Sequence, residues 1–253
     1  MVAQAHKQNN FGADELWVKV GNGINRLLLR CDLTPLGGRA PDVASATVRL
    51  RIESQTFQRT GTAFSIHASD GSVPPWIEGV DRFAQITYCQ RPEYFRPAKS
   101  NGGAGATWNC PQDPNVRDGK MKGCAVAWAG GFPGHAPAPT DVVIEAPDPN
   151  PSCTWSLACH AAGGGVDCWR AIEFDVTADV GRWLATGEFS AGWLVKQTAE
   201  KGRGAFFAFS REFAVCVLRI PELRPQLIVV LAEQPGDPPA VPDLPDHCEY
   251  VSR

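Results

Sequence analysis

The chain has no apolar run long enough to cross a bilayer: the longest, Leu227 to Ala232 among them, are strand-length, whereas a spanning helix needs roughly 20 residues. Its first ten residues hold no apolar h-region, so an extracellular destination is expected for a processed or shortened chain, or by another route such as packaging in a virion. Charge of one sign is also scarce. The net charge is −3, and the segment from Gln234 to Arg253, with Asp237, Asp243, Asp246 and Glu249 against Arg253, carries all of it. Residues 1–233 are therefore neutral and generate no whole-molecule field to attract nucleic acid or an anionic membrane, which excludes nucleic acid as an expected partner. Histidine is sparse too. His6, His67, His135, His160 and His247 are scattered, and none sits in a nucleophile elbow or an H-E-x-x-H motif, so no catalytic residue is assigned and no enzyme is expected.

What the chain does have is turn chemistry and cysteine. Its 253 residues include 25 Gly, 21 Pro and 9 Cys, a composition that favours many short elements over long helices. With 43% hydrophobic and 20% charged residues the chain is a folder, long enough for a core that needs no staples. We expect one domain over residues 1–233, with a loop-rich insertion at 88–170, followed by a Pro-rich acidic tail at 234–253.

Alternation at period two sets the fold class. Leu27, Leu29, Cys31 and Leu33 alternate with Arg26, Leu28, Arg30 and Asp32; Val48, Leu50 and Ile52 alternate with Thr47, Arg49, Arg51 and Glu53; Ile172, Phe174 and Val176 alternate with Glu173, Asp175 and Thr177. Such segments are half-buried antiparallel strands with one wet face. Further strands are expected at Leu16–Val20, Ala63–His67, Gly192–Gln197, Ala205–Phe209 and Gln226–Leu231, which together make a sandwich or barrel. One short helix is expected after an N-cap Thr177, with Val180, Trp183 and Leu184 on its buried face and Gly187 ending it.

Two cysteines, Cys31 and Cys216, alternate with apolar neighbours and read as core thiols. Cys89, Cys110, Cys124, Cys153, Cys159, Cys168 and Cys248 lie in Gly/Pro-rich stretches and read as disulfide formers in an oxidising compartment, with the pairing left open. Cys153, Cys159, His160 and Cys168 also offer a zinc donor set, but disulfides are the simpler account. No cofactor is expected. Asp113, Asn115 and Asp118 have an oxygen-rich spacing that loosely fits Ca2+, but the distal bidentate Glu of a calcium loop is missing and an Asx-turn cluster is the better account.

Several segments, in order, resemble the DNRLRE domain family. These are Asn9-Asn-Phe-Gly with Leu16-Trp-Val, Arg26-Leu-Leu-Leu-Arg-Cys-Asp-Leu, Ser45-Ala-Thr-Val-Arg-Leu-Arg-Ile, Trp76-Ile-Glu-Gly, Gly105-Ala-Thr-Trp-Asn and Phe174-Asp-Val-Thr with Val180 and Trp183. Gly192 to Lys196, Phe209-Ser-Arg-Glu and Arg224-Pro-Gln-Leu complete the set. The resemblance implies an all-β, antiparallel jelly-roll-like β-sandwich of extracellular or virion surfaces, some of whose relatives bind acidic polysaccharides such as alginate without turnover. The chain departs from the family in placing Cys31 where Phe is usual, in its short stretch before Asn9 and in its enlarged, cysteine-containing loop insertion. That short stretch leaves open whether a neighbouring chain supplies a first strand.

Two sets of residues are candidates for ligand binding. If the strands carrying them are neighbours, Arg26, Arg30, Arg49 and Arg51 face outward together and form a strip that grips carboxylates bidentately; the competing reading is cross-strand pairing with Asp32, Glu53, Glu173 and Asp175. Tyr94, Trp128, Trp155 and Trp169 offer rings on which sugar C–H faces stack, or alternatively the small core of the insertion. The expected function is a non-catalytic carbohydrate-binding module. Second stands a structural or adhesive protein held by neighbouring subunits, including a homo-oligomer, at a cell surface or on a virion; third, a polysaccharide hydrolase or lyase.

Overall fold

The computed structural model describes residues 2–3, 16–20, 23–37, 42–56, 62–76, 105–114, 123–145, 158–188, 192–200, 204–209, 214 and 220–232. Ten antiparallel strands run through them: β1 (Val2–Ala3), β2 (Leu16–Val20), β3 (Asn25–Arg30), β4 (Val43–Thr56), β5 (Thr62–Ala68), β6 (Asp141–Glu145), β7 (Ala171–Asp175), β8 (Gly192–Gln197), β9 (Gly204–Ala208) and β10 (Gln226–Leu231). Every strand expected from alternation is present. β6 was not anticipated; its Val142-Val143-Ile144 core lies between proline-rich stretches.

The strands make two antiparallel sheets joined through β4. The first half of β4 pairs with β10, from Arg49 opposite Gln226 to Val43 opposite Leu231, and with β7, from Thr47 opposite Asp175 to Arg51 opposite Ala171. Its second half, past an irregularity between Ile52 and Ser54, pairs with β9. From β9 the order continues β2-β3-β8-β5-β6, and β1, from this chain's own N-terminal stretch, pairs with β3. Near β6 and β7 the two sheets meet again, where the Asp175 N–H donates to Asp141 Oδ2 at 2.8 Å.

Alternation works because the face it predicts is the face that is buried. Leu27 and Leu29 of β3, Val48 and Leu50 of β4, Phe64 and Ile66 of β5, Ile172 and Phe174 of β7, and Trp193 and Val195 of β8 form one sandwich-like core. Each such side chain contributes about 1.5–3 kcal/mol by leaving water. Helix α1 (Thr177–Thr186) closes one end with Val180, Trp183 and Leu184, and stops at Gly187, whose φ of 77° suits glycine. Its start differs slightly from expectation: Thr177 is the first helical residue, and the carboxylate of Asp175 accepts both the Thr177 N–H, at 2.9 Å, and its hydroxyl, at 2.6 Å. Those bonds hold the Asp175 carboxyl below its ordinary range.

One expectation fails in an informative way. The far face of β3 is dry at Arg26 and Leu28. Leu28 and Leu194 pack with Trp76, Trp108 and Trp128 in a second cluster, so residues 105–114 and 123–136 lie over the outer face of the β3-β8 pair. The sandwich carries a third layer there.

Candidate functional site

The third layer is moored by Arg26. Its guanidinium grips Glu200 bidentately, Nε to Oε1 at 2.6 Å and Nη2 to Oε2 at 2.8 Å. Nη1 donates to the carbonyls of Ala129 at 2.9 Å and Gly130 at 2.8 Å. The cation lies 4.8 Å from the centre of the Trp108 ring and 5.2 Å from that of Phe132. Arg26 is only 8% exposed. The sequence reading placed it outward in a binding strip; the structure corrects this, because the layer covering β3 encloses it.

The strip itself does not assemble. β3 neighbours β1, β2 and β8, whereas β4 neighbours β7, β9 and β10, so Arg30 stands apart from Arg49 and Arg51. Arg49 pairs with Glu173 across the sheet at 2.5 Å, and Arg51 donates to the Trp169 carbonyl at 2.8 Å and approaches Asp167 at 3.4 Å. Cross-strand pairing is what the Arg49 register favours, since Arg49 and Glu173 are directly opposite.

Arg30 behaves differently. No carboxylate among the described residues lies within ion-pairing distance of it. Its guanidinium stands 5.5 Å from the centre of the Trp76 ring, with one long contact, 3.5 Å, to the Trp76 carbonyl. It lines a cleft of about 450 Å³ whose wall is the loop Ser69–Trp76 and whose other side carries Glu188 and Gly192. Gly192 sits directly opposite Arg30, so close to the Leu29 carbonyl that a side chain there would collide with the backbone. The result is a partly exposed cation in a recess of serine hydroxyls, two prolines and an indole.

The wall is tied down where it begins. Ser69 N–H donates to the Gly192 carbonyl at 2.7 Å, and the Asp70 N–H to the Gly134 carbonyl at 3.2 Å. Within the loop, the Ser72 N–H donates to Asp70 Oδ1 at 2.9 Å. Partial burial pushes the Asp70 carboxyl up, but the bonds from the Ser72 side chain and N–H outweigh it and leave the group below its ordinary range.

The aromatic candidates fall into the cores. Trp128 (5% exposed) donates its indole N–H to the Thr107 carbonyl at 2.8 Å, and Trp169 (1%) packs on Phe209 with Cys168, Ala214 and Leu223. Neither offers a ring face to solvent, which corrects their reading as stacking platforms. Tyr94 and Trp155 lie outside the described residues.

Cys110 bonds to Cys124 and Cys159 to Cys168, so four of the seven loop cysteines are disulfide-bonded as expected; Cys89, Cys153 and Cys248 lie outside the described residues, as does Cys216. Cys31 is buried as expected, but it is disulfide-bonded rather than a free thiol. Asp113 is 2% exposed and bridges Gly105 through its backbone, while Asn115 and Asp118 lie outside the described residues. Among the described residues no three His, Cys, Asp or Glu side chains gather as a metal site, and no helix is long and apolar enough to cross a membrane.

Among the described residues, one serine and one histidine stand in a nucleophile–base geometry. The Ser65 hydroxyl donates to His67 Nε2 at 3.0 Å, since Nδ1–H donates to the Ala136 carbonyl at 2.9 Å. Ser65 has no exposed surface and His67 has 3%, so the pair joins β5 to the third layer. Burial lowers the His67 pKa against the Ala136 bond, and the nearby Lys196 and Arg26 cations lower it further.

Reading outward-facing residues found Arg30; it missed Glu188, Ser69, Ser72 and the two prolines, which lie in loops where no periodicity marks a face. Compared with known proteins, the chain matches no family model and no curated protein.

Proposed function

We propose that the chain is a non-catalytic carbohydrate-binding module, and that the Arg30 cleft receives a carboxylate-bearing sugar of an acidic polysaccharide. One observation carries this reading: of the four arginines on the outward faces of β3 and β4, Arg30 alone has no carboxylate partner among the described residues, and it stands in a recess. A guanidinium offers the planar fork that a uronate carboxylate matches bidentately. Ser69 and Ser72 bring hydroxyls to the same recess, and Pro74, Pro75 and Trp76 bring apolar surface for sugar C–H faces. The ordered motifs resembling DNRLRE domains support a jelly-roll variant of the sandwich. Disulfides favour an oxidising, extracellular setting.

Titration calorimetry with a uronic-acid tetrasaccharide tests the proposal. Loss of one charge-assisted bidentate contact weakens binding by about tenfold or more. Arg30→Ala is expected to show that loss, Arg30→Lys a partial one, and Arg49→Ala none. Absence of binding by the wild type, or equal losses in Arg30→Ala and Arg49→Ala, overturns the assignment.

A second reading, assembly with neighbouring subunits, is favoured by β6. Its Val142 and Ile144 are 41% and 70% exposed, and among the described residues only β5 pairs with it. Light scattering decides between the readings: a monomer that binds the tetrasaccharide supports the module, and a defined oligomer dispersed by Ile144→Lys supports assembly.

A further inference from the structure

The cleft wall is built on a buried imidazole. Ser69 and His135 form a single antiparallel bridge, and the Asp70 N–H reaches the Gly134 carbonyl. Gly134, at φ 129°, presses so closely on Val73 that a side chain there would collide with it. The wall and the turn at residues 131–136 therefore move as one piece or separate at a cost. His135 is the polar centre of that turn. It is 3% exposed, and its Nδ1–H donates to the Gly131 carbonyl at 2.8 Å. That bond fixes Nε2 as the bare nitrogen, and Nε2 is buried with no hydrogen-bond partner. The ring centres of Trp128 and Phe132 lie 6.2 and 6.4 Å away.

We propose that His135 is an acid-sensitive latch on the cleft: protonation of Nε2 releases the 131–136 turn from the sheet and the Ser69–Trp76 wall with it, so that a ligand held at Arg30 leaves on acidification. The inference rests on the cleft being the binding site. A neutral imidazole with one bonded N–H is compatible with this apolar surround. An imidazolium there is a buried charge whose second N–H has no acceptor, and the protein relieves it by opening the turn to water. The other charged groups do not reverse that direction. His67 and Arg26 face His135 from the sheet and oppose a further positive charge, and Lys196 beside His67 does the same for that ring. Glu200 is committed to Arg26. Asp70, on the wall, attracts the imidazolium but is solvent-exposed and screened. Desolvation, the largest influence, disfavours the charged ring, and the Gly131 bond and Asp70 do not offset it.

Hydrogen–deuterium exchange at pH 7.5 and 5.0, corrected for intrinsic rates, tests the latch, with tetrasaccharide binding measured at both pH values. At pH 5.0 the wild type is expected to lose at least tenfold protection in residues 69–76 and 129–136, while β4 and β7 stay protected. His135→Asn, whose amide reproduces the Nδ1–H donor but does not titrate, is expected to keep protection at both pH values. Unchanged wild-type protection overturns the proposal, and so does an equal loss in His135→Asn. If that variant does not fold, NMR titration of the wild-type ring replaces it: a wall opening whose midpoint differs from the His135 titration overturns the latch. The tetrasaccharide stays mostly ionised at pH 5.0, since carboxylates of this kind titrate near ~3.5. Binding that persists once the wall has opened therefore overturns release. Failure to bind at pH 7.5 with the opening intact overturns the reading of the cleft and leaves the latch standing.

Discussion

The Arg26 guanidinium sits 4.8 Å from the centre of the Trp108 ring while both of its outer edges are spent, one on the Glu200 carboxylate and one on the carbonyls of Ala129 and Gly130. A strand residue thereby holds a layer more than a hundred positions downstream. Removing one partner of such a buried pair leaves the other charge stranded, at a cost of about 3–5 kcal/mol. Arg26→Met is expected to approach that loss in urea unfolding and to weaken the near-ultraviolet signal of Trp76, Trp108 and Trp128. The double variant Arg26→Met/Glu200→Met is expected to recover part of it, because no unpaired charge remains.

The Cys110–Cys124 disulfide closes a loop with a sequence separation of 14 within the same layer. The chain-entropy account gives about 3 kcal/mol for a loop of this size. Cys110→Ser/Cys124→Ser is expected to lower stability by about 2–4 kcal/mol, with the same tryptophan signal lost first and the core around Trp183 and Trp193 retained. Denaturant unfolding followed by fluorescence and far-ultraviolet circular dichroism separates the two.

The contrast between these layers explains what was readable in the residues alone. β4 and β7 follow from alternation because one of their faces meets a single continuous core, so local pattern and burial agree. Arg26, Leu28 and Leu194 break the rule: whether the second face of a strand is wet depends on what a distant segment covers, and Leu27-Leu28-Leu29 was the one local hint that β3 is buried on both sides. Trp128 and Trp169 were ambiguous for the same reason, since a loop-borne indole looks alike whether it anchors a small core or greets a ligand. Arg30 was legible as an outward cation, but its lack of a carboxylate partner is a fact of sheet order: β3 does not lie beside β4.

Acid sensitivity of the whole fold follows from two imidazoles. Burial lowers the pKa of both His67 and His135 from the ordinary 6.5, so the unfolded chain takes up protons below that pH before the folded chain does. Stability is therefore full above about 6.5 and falls as the pH drops through it, at about 1.4 kcal/mol per pH unit for each proton of difference. Asp175, held below its ordinary 3.8, adds a loss only at much lower pH. Urea midpoints measured from pH 8 to 4.5 are expected to decline below 6.5 in the wild type and to stay nearly flat in His67→Gln/His135→Asn.

Asp179 ties three elements together at the closed end of the sandwich. Its carboxylate, on α1, accepts the Thr140 hydroxyl at 2.7 Å ahead of β6 and the Trp193 indole N–H at 3.0 Å from β8; Arg182 approaches its other oxygen at 3.4 Å. Asp179 is 7% exposed, and Trp193, whose ring centre lies 4.8 Å from that of Trp183, is fully buried. Asp179→Ala leaves a buried indole N–H without an acceptor, which costs about 1–3 kcal/mol. Asp179→Asn keeps the shape but turns an amide toward donors, so it is expected to recover only part of that loss. Trp193→Phe removes the stranded donor, and a double-mutant cycle with Asp179→Ala should therefore show clear coupling, because truncating the acceptor costs less once the indole N–H is gone. Strict additivity in that cycle would mean that the Asp179–Trp193 bond contributes nothing and that the helix is held by packing of Val180, Trp183 and Leu184 alone.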